Sequence, residues 1–324
     1  MKGEQVRRIR IIMVLALGGL LAACGGDSRG GGDGADGEDV PDGDAQEAQA
    51  DQDGMPDPLR VGLIPNVAPD EQRARYQPFG DYLETELGVE VELFVASNYA
   101  GVVTALASDQ LDVAYLGGLT YLQAQEQIKL EPLVTEEDRE TGTSRYISAI
   151  IVRSDSAAQD VDDLLGQEAS FAFGDVSSTS SSLYPRIMLV EAGAECSVQE
   201  LDSCPPLSEI SFTGGHDAVA QAVLAGQVDA GGLERRILNR LISDGAVPEG
   251  ELRIVEEAEV EGYPWVARLA LGEETLETIT EAFLDIEDPE LLDLLRAERY
   301  LRVEREDYED MRTRADELGL LAAG

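Results

Sequence analysis

Short apolar runs alternate with amphipathic segments along most of this chain of 324 residues, and that alternation constrains its fold most. Val89 to Val95 alternates with the period of a strand, Tyr99 to Ala107 has helical spacing, and Val113 to Leu116 is again strand-like. Strand–helix–strand units with short connections predict a mostly parallel sheet with helices on its faces. The sequence therefore predicts an α/β fold.

The same pattern restarts after Val152 and is followed by segments that fit the first block. We therefore predict two α/β lobes joined by two hinge crossings, with lobe 1 at 59–148 plus 256–324 and lobe 2 at 149–255. Within lobe 2, Val228 to Ala230 is predicted as a strand, and Gly231-Gly232 is predicted to lead into a helix. The tail is predicted to be helical, with helices at Leu276 to Phe283, Pro289 to Arg296 and Arg305 to Leu318. Ligands of open α/β sheets bind at the carboxyl ends of strands, which would face the cleft between the lobes.

The first residues have the pattern of an export signal. Basic residues precede an apolar stretch from Ile11 to Leu21 that is too short to span a membrane comfortably. The sequence Leu21-Ala22-Ala23-Cys24 resembles the bacterial lipoprotein signal, in which the cysteine is lipidated; an ordinary secretory signal that carries a cysteine is the alternative. We predict a signal at 1–23, a flexible acidic and Gly-rich tether at 24–58, and a protein anchored by lipid on the extracytoplasmic face of the cell membrane.

The composition is strongly acidic. The chain has 65 Asp and Glu against 24 Lys and Arg, which gives a formal net charge of −41. Nucleic-acid binding requires a basic surface, so we predict no nucleic-acid partner. Such acidity keeps a protein hydrated and is typical of salt-adapted proteins. A site for an anion must therefore rely on local donors.

The chain has three cysteines, and the first is assigned to the lipid. Cys196 and Cys204 flank an acidic loop outside the cytoplasm, where a disulfide between them is the simplest interpretation. Two thiols without further Cys or His ligands form a poor metal site, so we predict no metal. No Walker loop or Gly-x-Gly-x-x-Gly motif follows a strand, and no cofactor is predicted.

A run of hydroxyl side chains follows one predicted strand. Ala169 to Phe173 reads as a buried strand, Gly174-Asp175 ends it, and Ser177 to Ser182 lead into a helix with apolar residues at Leu183 and Ile187. The first turn of a helix presents unpaired N–H groups and the positive end of the helix dipole, which together bind anions. The alternative is a helix cap, for which a single hydroxyl suffices.

The chain has a single histidine, His216, which follows Gly214-Gly215 and opens a predicted helix. It fits either a solvent-exposed cap residue or a donor to an anion, helped by the same helix-end dipole. Asn98-Tyr99, Ser178-Thr179-Ser180 and His216 each follow a strand. Because such turns lie along one edge of a parallel sheet, these three segments can converge.

An enzymatic site is not favoured by the sequence. His216 has the chemistry to serve a nucleophilic serine, but Gly174-Asp175-Val176-Ser177-Ser178 is not the Gly-x-Ser-x-Gly turn of serine hydrolases. We predict that the protein is not an enzyme. A hydrolase using Ser178 and His216 remains the alternative from that class.

Several motifs, in this order, resemble the substrate-binding proteins of phosphate, phosphite and phosphonate ABC importers, the PhnD-like family. They cover about Leu59 to Leu318 and are Asn98 to Val103, Leu111 to Tyr121, Tyr146-Ile147-Ser148, Phe173-Gly174-Asp175 with Ser178-Thr179-Ser180, Gly214 to Ala218, Gly226 to Ala230, and Tyr263 to Arg268. The resemblance implies a type II periplasmic-binding-protein fold. Gly117-Gly118 stands where the family often has Gly-Pro, so the loop around Tyr121 is expected to differ in shape.

The resemblance also implies a set of ligand-binding residues. Those expected to hold the oxyanion are Tyr99, Tyr146, Ser178, Thr179, Ser180 and His216. Tyr121 and Asp217 are weaker candidates, and Tyr121 fits core packing equally well. Glu234 lies near the position where members that bind aminoalkyl phosphonates supply an acidic side chain, and it also fits a solvated residue at a helix start.

These observations predict a monomeric solute-binding lipoprotein of an ABC importer. It would bind a small phosphorus oxyanion by hydrogen bonds at helix N-termini and deliver it to the permease. The alternative is a binding protein that reports to a sensor kinase.

Overall fold

The computed structural model describes residues 54–197, 199–294 and 297–323. The predicted signal, Cys24 and the tether up to residue 53 lie outside the described residues. The strands are, in chain order, β1 (Leu59–Leu63), β2 (Val91–Val95), β3 (Val113–Tyr115), β4 (Leu130–Asp138), β5 (Arg145–Arg153), β6 (Ser170–Phe173), β7 (Glu209–Phe212), β8 (Ala230–Glu234), β9 (Leu252–Glu261), β10 (Trp265–Arg268) and β11 (Ala297–Arg302).

The α-helices are α1 (Pro69–Leu87), α2 (Tyr99–Ala107), α3 (Gly118–Gln125), α4 (Val161–Gly166), α5 (Tyr184–Glu191), α6 (His216–Leu224), α7 (Arg235–Ser243), α8 (Glu273–Leu284), α9 (Pro289–Leu294) and α10 (Glu309–Glu317). The helix predicted from Tyr99 to Ala107 is confirmed. It begins there because the Asn98 side chain accepts a hydrogen bond from the backbone N–H of Gly101 at 2.9 Å. No helix among the described residues is long and apolar enough to cross a membrane.

The strands form two sheets. Sheet 1 has the order β11-β4-β10-β3-β1-β2, and sheet 2 has the order β7-β6-β8-β5-β9. The chain passes from sheet 1 to sheet 2 between β4 and β5 and returns between β9 and β10, which agrees with two predicted crossings. The predicted lobe boundaries fall inside β5 and β9, which pair along their whole length from Arg145↔Glu261 to Arg153↔Leu252. The first crossing, between Asp138 and Arg145, therefore lies a few residues before the first predicted boundary. The second, between Glu261 and Trp265, lies a few residues after the second predicted boundary.

Both sheets are mixed, so the expectation of mostly parallel sheets was wrong. β1 is parallel to β2 and β3, but β10 is antiparallel to β3 and β4. In sheet 2, β6 is parallel to β7 and β8, whereas β5 is antiparallel to β8 and β9. The antiparallel strands are mainly those next to the crossings, where the chain enters a sheet from the other lobe.

Gly231 and Gly232 lie inside β8, which corrects the prediction that they form a turn. A Cβ atom on Gly231 would lie 2.6 Å from Cγ1 of Val219 in α6. A Cβ atom on Gly232, on the opposite face, would lie 2.4 Å from Cγ of Pro185 in α5. The two glycines therefore let helices pack closely on both faces of the strand.

The tail contains a strand as well as helices. Residues 297–302 form β11, which pairs antiparallel with β4 at the edge of sheet 1. Its sequence, Ala-Glu-Arg-Tyr-Leu-Arg, has good helix formers, so local propensity does not indicate this strand, which lies between two of the predicted tail helices. Burial of Tyr300 against Phe79 and Phe283 in the core fixes the strand instead.

The main core lies on sheet 1 and is rich in aromatic rings. Trp265 stacks on Phe79 with a centroid separation of 4.9 Å and contacts Phe283 at 4.8 Å. Sheet 2 has smaller apolar clusters on its two faces. Cys196 and Cys204 are joined by a disulfide beside one of these clusters.

Candidate functional site

The hydroxyl run forms a buried turn of unusual winding. Residues Thr179–Leu183 form one turn of π-helix that continues into α5, and the Ser178 side chain caps it by accepting from the backbone N–H of Ser181 at 3.2 Å. All hydroxyl residues of the run are buried. Such turns recur at functional sites because they redirect side chains that an α-helix would place differently.

The turn fits tightly against the end of β6. The backbone N–H of Gly174 donates to the Ser181 carbonyl at 3.0 Å, and a Cβ atom on Gly174 would lie 2.1 Å from the Ser181 hydroxyl oxygen. Only glycine permits that approach. The Oγ atoms of Ser177, Ser180, Ser181 and Ser182 are buried and have no hydrogen-bond partner among the described residues.

His216 is the first residue of α6 and is fully buried. Its backbone N–H donates to the Asn66 carbonyl at 3.0 Å, and its Nδ1 accepts from the backbone N–H of Glu234 at 3.1 Å. Burial lowers the pKa of His216 to about 4, with Glu234 opposing the shift. The imidazole is therefore neutral at pH 7. Because Nδ1 accepts a hydrogen bond, the ring proton is on Nε2.

His216 Nε2 is buried and has no partner among the described residues. The structure thus excludes the interpretation of His216 as a solvent-exposed cap. What it leaves is an uncharged N–H donor at the first turn of a helix, where the helix dipole favours negative charge.

Two tyrosine hydroxyls are also buried donors without a regular partner. The Tyr99 hydroxyl lies beside Ser178, and the Tyr146 hydroxyl lies beside Ser180 and Tyr263. Neither forms a hydrogen bond of regular geometry among the described residues. Burial raises the pKa of both phenols, so both are protonated donors. We call Tyr99 Oη, Tyr146 Oη, Ser180 Oγ and His216 Nε2 the donor cluster.

Hydrogen bonds connect the segments that carry the donor cluster. The Ser148 hydroxyl of β5 donates to the Ser180 carbonyl at 2.9 Å, and Ser148 is paired with Glu234, which contacts His216. Tyr146 lies two residues before Ser148 on the same face of β5. Contacts through Ser148 and Glu234 therefore connect the hydroxyl turn with His216, two of the three segments that were predicted to converge.

Elements of sheet 1 close over the hydroxyl turn from the other side. The backbone N–H of Tyr99 donates to the Asp175 carboxylate at 3.2 Å, and that of Leu119 donates to the Thr179 hydroxyl at 3.0 Å. The Thr120 hydroxyl donates to the Ser177 carbonyl at 2.9 Å. Thr179, predicted as a ligand contact, thus uses its oxygen to connect the hydroxyl turn to α3 and retains its hydroxyl proton for donation.

The weaker candidates have different surroundings. Tyr121 packs edge-on against Tyr308 in the core, and its hydroxyl accepts from Gln125 at 2.6 Å. These contacts favour core packing over ligand contact. Asp217 is partly exposed in the first turn of α6.

Glu234 is buried, so its interpretation as a solvated residue was wrong. It accepts from the Tyr263 hydroxyl at 2.6 Å and pairs with Arg236. Burial is the largest single influence and favours its protonated form, but Arg236 and the other neighbouring groups, including the Tyr263 hydroxyl, together hold the pKa of Glu234 below its usual value.

Glu234 belongs to a charged group that the sequence analysis missed. Arg236 of α7 also pairs with Glu136 and Asp138 of β4, at 2.9 and 3.1 Å, and its guanidinium lies 4.8 Å from the centre of the Tyr146 ring. We call Arg236, Glu136, Asp138, Glu234 and Tyr263 the arginine cluster. It links sheet 1 to sheet 2 directly behind Tyr146. Tyr263 stood in a quoted motif, but its partners are distant in sequence.

Comparison with known proteins identifies the family of the chain. The family described as "ABC transporter, phosphonate, periplasmic substrate-binding protein" matches residues 61–308. The chain belongs to this family. Membership confirms the predicted class, a substrate-binding protein of an ABC transporter rather than an enzyme, and an extracytoplasmic place of action.

Curated relatives of the family resemble the chain along most of its length. The phosphate-import protein PhnD of Mycolicibacterium smegmatis is 32% identical over 235 residues, which are 71% of this chain and 72% of that protein. The probable ABC transporter phosphite-binding protein PhnD1 of Prochlorococcus marinus is 26% identical over 270 residues, 79% of this chain and 88% of that protein.

Solved structures confirm the periplasmic-binding-protein fold. PhnD1 of Prochlorococcus marinus in complex with methylphosphonate superposes with a TM-score of 0.71 at 25% identity and covers 82% of this chain and 100% of its own. A binding protein component of an ABC phosphonate transporter from Pseudomonas aeruginosa superposes with a TM-score of 0.70 at 20% identity, covering 81% of this chain and 87% of its own.

Proposed function

We propose that this chain is an extracytoplasmic lipoprotein that binds a small phosphorus oxyanion in the donor cluster and delivers it to an ABC permease. The observation that carries the proposal is the donor cluster itself. The cluster has four buried O–H and N–H donors without a partner among the described residues, from Tyr99, Tyr146, Ser180 and His216. Hydrogen bonds and strand pairing connect the segments that carry them. The class of ligand is supported by the relatives, which are named for phosphate, phosphite and phosphonate.

The chemistry of the cluster suits an anion that carries several oxygens. Each buried donor without a partner costs about 1–3 kcal/mol, and a ligand that accepts from it offsets that cost. Hydrogen bonds to a charged acceptor are roughly twice as strong as neutral ones. Because the donors are neutral, the cluster binds an anion without placing an unpaired cation in the protein interior.

The N-terminal ends of helices add positive electrostatic potential at the donor cluster. His216 begins α6, Tyr99 begins α2, and the hydroxyl turn begins the helical segment that continues as α5. Each of these ends has a partial positive charge that falls off within the first turn. Local donors and helix ends thus act against the strongly negative net charge of the chain.

Calorimetric titration of the protein with phosphite, methylphosphonate and phosphate, with sulfate for comparison, tests the proposal. His216→Asn keeps an acceptor near Nδ1 for the Glu234 N–H and removes the Nε2 donor. We expect it to weaken binding about 10–100-fold, the loss typical of one hydrogen bond to a charged group. His216→Ala should weaken it at least as much. Absence of binding to every phosphorus oxyanion would contradict the proposal, and unchanged affinity in both variants would remove His216 from the site.

The lipid anchor and the permease are tested separately. Cys24→Ser should move the protein from the membrane fraction to the soluble extracytoplasmic fraction, and retention on the membrane in both forms would exclude lipidation at Cys24. Delivery is tested by adding ligand-loaded protein to the permease and its ATPase in liposomes. Stimulated ATP hydrolysis supports transport, whereas stimulation of a sensor kinase alone would support the alternative role.

A further inference from the structure

A cavity of about 260 Å³ lies next to the donor cluster. Its lining includes Asn66, whose carbonyl accepts from the His216 backbone, and Glu234, whose N–H donates to the His216 ring. It also includes Tyr115, which stacks on Tyr263 at 5.1 Å, and Tyr263 in turn packs on Tyr146 at 4.8 Å. Two residues of the cavity lining therefore contact His216 directly, and a third is connected to Tyr146 through Tyr263.

The cavity walls carry donors that the protein leaves without partners. Gln72 is buried, and its side-chain Nε2 has no partner among the described residues. The same holds for Nε of Arg75 and for Nε and Nη2 of Arg240. Gln72 and Arg75 come from α1, which packs on sheet 1, and Arg240 comes from α7, which packs on sheet 2. Residues with unpartnered donors thus line the cavity from both lobes.

The two guanidinium groups are close enough to repel each other. Burial lowers the pKa of Arg240, and the charge on Arg75 lowers it further, while Glu234 and Glu71 oppose the shift. Among the described residues, Arg75 has one ion-pair partner, Glu71, at 3.2 Å. No ion pair of Arg240 with a described residue is present at 4 Å or less. Two like charges beside a partly enclosed cavity favour an anion between them.

The acidic groups of the cavity are already engaged or exposed. Glu234 pairs with Arg236, and Asp293 accepts from Arg139 at 2.9 Å. Asp244 is exposed to solvent. An amine entering the cavity would therefore meet Arg75 and Arg240 and, among the described residues, no buried carboxylate without a partner, whereas a carboxylate would meet donors on both walls.

We propose that this protein binds phosphonates whose substituent ends in a second anionic group, such as a carboxylate, with that group held between Arg75 and Arg240. The inference rests on the proposed function, because the phosphonate end occupies the donor cluster. The cavity is large enough for a short carbon chain with a carboxylate, since a water molecule in the liquid takes about 30 Å³.

Three probes of similar length differ in terminal charge and test the inference by calorimetry on the full protein. They are 3-phosphonopropionate, propylphosphonate and 2-aminoethylphosphonate, with phosphite as a ligand that does not reach the cavity. We expect 3-phosphonopropionate to bind at least 10-fold more tightly than propylphosphonate and 2-aminoethylphosphonate to bind more weakly than either. In Arg240→Gln and Arg75→Gln, the affinity ratio of 3-phosphonopropionate to propylphosphonate should fall about 10-fold.

Arg299→Gln, which alters an exposed arginine on β11, is the control and should keep the wild-type ratio. Binding of phosphite with no preference for 3-phosphonopropionate overturns the inference and leaves the proposed function standing. A preference that persists in both arginine variants also overturns it. Binding of none of these ligands overturns the proposed function as well. If one arginine variant fails to fold, as judged by its melting curve, the other decides.

Discussion

Two buried polar regions lie side by side at the junction of the sheets, and they solve the problem of burial in opposite ways. In the arginine cluster, Glu136, Asp138 and Glu234 all pair with Arg236. In the donor cluster, four uncharged donors have no partner among the described residues. This chain therefore pairs its own charges where the lobes are joined, and it leaves neutral donors without a described partner where a ligand is proposed to bind.

The two regions touch, which makes the contrast informative. Tyr146 and Tyr263 pack ring against ring, yet Tyr263 donates to Glu234 and Tyr146 donates to no described residue. The difference therefore cannot come from burial or residue type. It comes from what each hydroxyl faces.

The largest effect is expected from removing the cation of the arginine cluster. Arg236→Met leaves three buried carboxylates without their counter-charge, and breaking a buried ion pair from one side costs about 3–5 kcal/mol. The free energy of unfolding, measured by denaturant titration, should fall by that amount. Arg299→Met removes an exposed arginine from its pair with Glu137 and should cost less than about 1 kcal/mol. Equal losses in the two variants would contradict the structural role of the cluster.

The second test measures how the stability of the protein depends on pH through His216 of the donor cluster. His216 has a pKa of about 4 in the fold and an ordinary value of 6.5, so the unfolded chain binds its proton first as the pH falls. The contribution of the neutral ring to stability is complete above pH 6.5 and is lost as the pH falls toward 4. That loss amounts to about 3 kcal/mol at pH 4, from the shift of the His216 pKa.

His216→Asn removes this titration while keeping an acceptor for the Glu234 N–H. Between pH 7 and pH 4, the ligand-free wild type should therefore lose about 3 kcal/mol more stability than the variant, measured by denaturant titration at each pH. The many surface carboxylates titrate in both proteins and cancel in the difference. Parallel pH profiles would show that the buried ring is not neutral.

The neighbouring tyrosines provide a matched pair for the third test. Tyr263→Phe removes a donor to the buried Glu234 carboxylate and should lower the free energy of unfolding by about 1.5–3 kcal/mol. Tyr146→Phe removes a hydroxyl without a described partner, so stability should change by less than about 0.5 kcal/mol while ligand affinity falls about 10-fold. If both variants lose stability equally, the distinction between the two clusters fails.

The smallest effect is expected at Thr179, where the hydroxyl turn meets α3. Thr179→Val removes the acceptor of the Leu119 N–H and should cost about 1 kcal/mol of stability. Thr179→Ser keeps the oxygen and serves as the control. Equal melting temperatures for the two variants would mean that this bond contributes nothing to the junction.

The sequence predicted the parts of the site that depend on neighbouring residues. A strand, a small turn and a helix start are visible as local patterns, so α2, the hydroxyl run and His216 were placed correctly along the chain. The helix-end argument selects Tyr99 but not Tyr146. The resemblance to a known family supplied both tyrosines.

Contacts between distant residues were beyond that reasoning. Arg236 pairs with Glu136, which is 100 positions away in the sequence, and the local sequence around either residue does not indicate the pairing. For the same reason Glu234 was open to interpretation as a solvated residue. Gly231-Gly232 was interpreted as a turn because the local sequence does not show that α5 and α6 pack against β8. The cavity between Arg75 and Arg240 joins two helices from different lobes and was equally hidden.

The contacts across the junction have an evolutionary consequence. Tyr99, Leu119 and His216 all reach the opposite lobe through main-chain N–H groups. Replacement of their side chains by any residue other than proline leaves those donors in place, so drift at these positions hardly alters how firmly the lobes hold together. Changes that weaken these bonds, and so shorten the time a solute stays enclosed, are then expected at the side chains that accept them, Asp175 and Thr179.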